Sequence, residues 1–132
     1  MPGQPAAKQG DTVVGVDTHI YMIPAAAGAP VPTPLPSPFN GILQLSLSTD
    51  VMIMGMPAAT VGSKAVNTPP HLPQGGPFQK PPMNQGEIIM GSVTVLINGK
   101  PAARNGDTAR TCNDPVDLPV GTVIAVGTVL IG

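Results

Sequence analysis

The 132-residue sequence has almost no aromatic side chains: no Trp, one Tyr and two Phe. A core must therefore be packed with Val, Ile, Leu, Met and Ala, and the branched members of that set fit a pleated strand better than a helix. Charge is also scarce, at 10% of residues with a formal net charge of −1 and no basic run. That excludes nucleic acid and an anionic membrane surface as main partners. A lone cysteine, Cys112, excludes an internal disulfide and leaves a thiolate available for a metal. Uninterrupted helical stretches are missing, because nowhere do ten residues pass without Gly, Pro or a β-branched cluster. The longest apolar tract, Val120 to Ile131, is too short to span a bilayer and is broken by Gly121 and Gly127, so stable membrane insertion is not expected. The opening Met1-Pro2-Gly3-Gln4 lacks the basic start and apolar region of a signal peptide, which points to synthesis in the cytoplasm.

What the chain has in abundance is punctuation: 16 Gly and 18 Pro, about a quarter of all residues. They interrupt apolar runs instead of forming a polar tract, which argues for an ordered chain with many tight turns. A chain of this length holds one domain. The fold class expected is all-β.

The punctuation is periodic. Pro101-Ala102-Ala103-Arg104-Asn105-Gly106-Asp107 has a copy in Pro5-Ala6-Ala7-Lys8-Gln9-Gly10-Asp11 and another in Pro57-Ala58-Ala59-Thr60-Val61-Gly62-Ser63. Each copy leads to a side chain that can bind a metal: His19, His71 and Cys112. His19 follows Asp11 by eight residues, and His71 follows Ser63 by eight. Taken singly, His19 also fits a core histidine and Cys112 a small buried hydrophobe. The matched spacing of His19 and His71, and the place of Cys112 after the third copy, favour ligation. The Gly-Asp pairs suggest turns, with the carboxylate accepting backbone N–H groups beyond the glycine, and not calcium or catalytic acids, since Ser63 replaces Asp in one copy. The seven Met residues read as core filling in place of aromatics.

Between the copies lie short apolar segments. Gly41 to Gly55, Gly86 to Gly99 and Gly121 to Gly132 each read as a hairpin, and Asn98-Gly99 suits a turn with positive φ. Residues 24–40 carry proline at every second position from Pro30 to Pro38, which forbids helix and ladder pairing alike and predicts an extended, polyproline-like strap over the surface. The chain then alternates loop and hairpin in three units, roughly 1–55, 56–99 and 100–132, of a single 1–132 domain. Three units too small to bury a core alone would share one around a pseudo-threefold axis. The alanine pairs would occupy the crowded positions near it.

These residues resemble the PAAR-repeat proteins: Pro101-Ala102-Ala103-Arg104 matches the motif letter for letter, and the Gly91 to Gly99 run is also similar. The resemblance implies a small pointed β-cone that sits on a homotrimeric VgrG-like spike of a type VI secretion or related contractile injection system, one tip per trimer. It implies a non-enzymatic protein, delivered outside the cell or into a target cell, that sharpens the spike and helps carry an effector protein. It further implies zinc near the point of the cone, with His19, His71 and Cys112 as ligands. The family's usual fourth ligand, a further His, has no counterpart; the place is left to water, Ser37, Asp17, Asp114 or nothing. The alternatives are an adaptor that mainly loads effectors and a zinc-dependent hydrolase using an open metal position.

Overall fold

The computed structural model describes residues 3–26 and 28–132. Among these no helix occurs, and the strands in chain order are β1 (Gln4–Pro5), β2 (Thr12–Ala25), β3 (Gly28–Leu45), β4 (Met52–Ile53), β5 (Met56–Pro57), β6 (Lys64–Asn67), β7 (Gln85–Ile88), β8 (Leu96–Ile97), β9 (Lys100–Pro101), β10 (Thr108–Thr111), β11 (Leu118–Ile124) and β12 (Leu130–Ile131). Six of them close an antiparallel barrel in the order β10-β11-β2-β3-β6-β7. The other six form three two-stranded pairs, β4-β5, β8-β9 and β12-β1.

The Pro-Ala-Ala copies form the threefold floor between the barrel and the pairs. The N–H of Ala7 donates to Ala103 O, that of Ala103 to Ala59 O, and that of Ala59 to Ala7 O, at 2.9, 3.0 and 3.0 Å. This closed ring of three bonds allows no side chain larger than methyl near its axis. Consecutive residues of a strand face opposite ways. Ala6, Ala58 and Ala102 accordingly pack downward with Ile53, Ile97 and Ile131. Ala7, Ala59 and Ala103 pack upward with Val13, Phe39, Leu43, Ile88 and Val123 in the barrel.

Each copy then turns on a glycine with positive φ: Gly10, Gly62 and Gly106 at 92°, 96° and 91°. The side chain after the glycine ties the turn: Lys8 N donates to Asp11 Oδ2, Thr60 N to Ser63 Oγ and Arg104 N to Asp107 Oδ2. The Gly-Asp pairs are therefore turn residues, as the sequence suggests. The N–H they accept lies three residues earlier, not beyond the glycine.

The three expected hairpins are not formed as such. The first half of each (Ile42 to Leu45, Glu87-Ile88, Thr122 to Ile124) belongs to a barrel strand, and the second half pairs with a Pro-Ala-Ala strand, the following one in the first two cases. The reason lies in the tight turns. Asn98-Gly99 has φ of 53° and 79°, and Met54-Gly55 has 52° and 82°, so the two-residue turns fall after the second apolar segment and fold it onto β9 or β5. The third pair joins the two ends of the chain, Gln4 opposite Ile131 and Pro5 opposite Leu130.

The proline-rich segment is extended, as expected, but it is also paired. β3 runs beside β2 over almost its whole length. The prolines fit because all of them are even-numbered. Pro32, Pro34, Pro36 and Pro38 stand opposite Met22, Ile20, Thr18 and Val16, positions whose N–H groups point away from the partner strand. Odd-numbered residues carry the ladder bonds. From Pro32 to Pro38 the outer edge of β3 is left without N–H donors, which blocks the addition of a further strand along that stretch.

Beyond Val14 and Gly41 the barrel gives way to the β2-β3 hairpin alone, braced by two loops. Met22 N donates to Pro77 O, and Ile20 O accepts from Gln79 N; Thr18 O accepts from Asp114 N. The molecule thus tapers from three strand pairs, through six strands, to one hairpin.

Candidate metal centre

Inward-facing residues of β2 alternate, so Val13, Asp17, His19 and Tyr21 point into the barrel and the taper above it. Tyr21 closes the top of this column, with its hydroxyl 2.7 Å from Ser37 Oγ and its ring against Phe78. Phe39 closes the bottom. The barrel makes room for that ring with glycines: a Cβ on Gly41 would lie 2.7 Å from Phe39 Cε1, and one on Gly86 3.2 Å from Phe39 Cζ.

Between these floors, Asp17 and His19 meet two side chains from elsewhere. His71 arrives on the loop after β6, its N–H held by Asn84 Oδ1 at 2.8 Å. Cys112 follows directly on β10. One donor atom from each of Asp17, His19, His71 and Cys112 lies within 4.8 Å of the other three, and all four residues are buried. The Asp17 Oδ2 atom is 2.8 Å from His71 Nε2, 3.4 Å from Cys112 Sγ and 4.0 Å from His19 Nε2; Cys112 Sγ is 3.7 Å from His19 Nε2.

These spacings fit a tetrahedral cation. Bonds of about 2.0–2.1 Å to N or O and 2.3 Å to S give edges of about 3.3–3.6 Å between donors, and the measured separations bracket that range. The chemistry of the set agrees. A thiolate and two imidazoles suit a borderline-soft ion such as zinc and do not suit calcium or magnesium, which take oxygen ligands. One carboxylate and one thiolate balance a dication, and a fully buried carboxylate needs such a balance.

The surroundings tune the donors. Burial, and then the neighbouring Asp17 charge, push the Cys112 thiol up to about 12; backbone N–H groups of Asn84 and Gln85 directed at the sulfur pull the other way. Burial and the nearby His71 ring lower His19 below 6.5, against an opposing pull from Asp114 and Asp17. Both shifts disfavour charge in a dry site. The second oxygen of Asp17 is held by the Thr111 hydroxyl and, at 3.4 Å, by Asn113 Nδ2. A cavity of about 150 Å³, edged by Lys80, Pro82 and Met83, reaches His19 and Cys112 from the surface.

The structure thus brings together His19, His71 and Cys112, the three residues singled out by their spacing after the repeats. The nearby fourth donor is Asp17. Ser37 is engaged with Tyr21 and Gln74 instead, and Asp114 stands behind His19, 3.6 Å from Nδ1. Asp17 was visible in sequence only as one of several options. The signal that selects it is the i, i+2 spacing to His19 within an alternating strand, which puts both on one face.

A family model for the PAAR motif matches residues 40–117 and 78–132 of the chain. The chain belongs to the PAAR-motif family. It is a family of structural spike-tip proteins, and the all-β fold with its threefold floor is that of a PAAR cone. Comparison with curated proteins gives no match. No helix among the described residues of this PAAR protein is long and apolar enough to cross a membrane.

Proposed function

We propose that this PAAR protein is a metal-stabilised tip that caps a homotrimeric VgrG-like spike of a contractile injection system, one chain per trimer. The observation that carries the proposal is the closed ring of Ala7, Ala59 and Ala103: a single chain with threefold backbone geometry at its broad end is a matching lid for a true threefold partner. That end is also apolar in a threefold way. Met52, Leu96 and Leu130 occupy equivalent places, opposite Pro57, Pro101 and Pro5, and are 55%, 62% and 54% exposed, while the next residues Ile53, Ile97 and Ile131 are buried. Val93, Val129 and Met54 extend the exposed apolar surface. A stable lid would bury at least ~1,000 Å² against the spike.

Zinc held by Asp17, His19, His71 and Cys112 would lock strands and loops of the narrow end to one another. Four protein donors fill a tetrahedral ion and leave no open position, which is the arrangement of structural and not catalytic zinc; this supports a non-enzymatic role. The protein would be made in the cytoplasm and leave the cell on the spike, with effector transport as a further duty.

The test is co-purification with a trimeric VgrG-like spike protein. The triple variant Met52→Glu, Leu96→Glu, Leu130→Glu should lose the complex while keeping its metal content and melting temperature. Binding unchanged in that variant would refute the assignment of the base.

A further inference from the structure

The metal reading leaves one pair of buried polar atoms unexplained. His19 Nδ1 and Asp114 Oδ1 are both sealed from solvent and neither has a hydrogen-bond partner. The two groups are neighbours: the other oxygen of the same carboxylate, Asp114 Oδ2, is 3.6 Å from His19 Nδ1. A buried ring nitrogen left without a hydrogen bond is costly, and the carboxylate beside it is complementary: an imidazole N–H donates and a carboxylate accepts.

Asp114 is also placed by bonds on either side of His19. Its N–H donates to Thr18 O at 2.8 Å, and its Oδ2 accepts from Ile20 N at 2.9 Å. The preceding residue repeats the grip, with Asn113 Oδ1 accepting from Thr18 N at 2.7 Å. The 113–114 segment therefore clamps both neighbours of His19, with a carboxylate behind the ring and the other three donors in front of it. The Lys80 ammonium, 3.7 Å from Asp114 Oδ1, faces the same carboxylate from the surface.

We propose that Asp114 is the positioning residue of the metal centre: it accepts a hydrogen bond from His19 Nδ1–H and so presents the Nε2 lone pair to the ion. The proposal rests on the metal reading above. A ring nitrogen that coordinates must be free of its proton, and a carboxylate on the opposite nitrogen fixes that tautomer and the ring's orientation. A sub-ångström turn of the His19 ring toward Asp114 would bring 3.6 Å within hydrogen-bond range.

Zinc binding to the full-length protein tests this. In the zinc-loaded wild-type chain, ¹⁵N NMR of the imidazoles should show His19 bound through Nε2 with a slowly exchanging proton on Nδ1. Asp114→Ala should weaken zinc affinity about 10–100-fold. Asp114→Asn, whose side-chain oxygen still accepts the same N–H, should lose less. Coordination through Nδ1, or wild-type affinity in Asp114→Ala, overturns the proposal and leaves the metal reading standing. If zinc does not bind the wild-type chain at all, both fall. The wild-type spectrum answers the question even if Asp114→Ala does not fold.

Discussion

At the scale of single residues, the proposed metal centre would make opposite demands with and without its ion. With burial pushing the Cys112 thiol up to about 12 before a metal arrives, capture at neutral pH must expel one proton. Zinc affinity should therefore rise about tenfold per pH unit across the neutral range, a slope that a zinc titration at several pH values would read directly. His19 adds an acid limit. Its folded value lies below 6.5, so the unfolded chain binds more protons as pH falls through about 6.5, and stability drops there and not above. Thermal melts of the zinc-free chain should show that loss on acidification, and His19→Phe should remove part of it. Cys112→Ser should strip the metal, with elemental analysis falling from one equivalent toward none and the melting temperature falling with it. Unchanged zinc in that variant would exclude the sulfur as a ligand.

Elements explain why some of this was legible beforehand and some was not. The repeat of Pro-Ala-Ala with a turn glycine marks three equivalent positions because each is a backbone requirement: methyl-sized side chains at the ring, positive φ at Gly10, Gly62 and Gly106. His19, His71 and Cys112 could be read from their distance past these turns. Asp17 was harder, because only a strand with Asp17 and His19 on one face promotes it over Asp114. The expected hairpins rest on alternating apolar segments on either side of Gly91-Ser92, which look self-pairing. The two-residue turn at Asn98-Gly99 outcompetes that pairing and sends the second segment to β9. The proline strap pairs after all because a proline every second residue does not forbid a ladder; it forbids only one edge of it. Packing inside the barrel was invisible in sequence, and it yields a test of its own. A Cβ on Gly121 would sit 2.8 Å from Thr111 Cγ2 and 2.9 Å from Val13 Cγ1. Gly121→Ala should destabilise the fold by about 1–3 kcal/mol through overpacking, measured by denaturant unfolding, whereas Gly55→Asn, at a positive-φ turn with open space around it, should cost well under that.

For the whole molecule, one polypeptide imitates a trimer at one end and abandons the symmetry at the other. The ring of alanines and the strand pairs beneath it are threefold, while the candidate metal centre would take two donors from β2, one from the loop after β6 and one, Cys112, just past β10. A symmetric partner can meet the first end, and only a single ion is needed at the second. On the proposed function, hydrophobic burial and zinc act on different halves, so base variants should leave metal content unchanged and ligand variants should weaken docking only as far as they unfold the narrow end. The most direct measurement is the composition of the complex by native mass spectrometry. Three spike protomers with one copy of this chain carrying one zinc is the predicted mass. Three copies of the chain per spike, or a spike that never takes one up, would contradict a lid built by internal repetition.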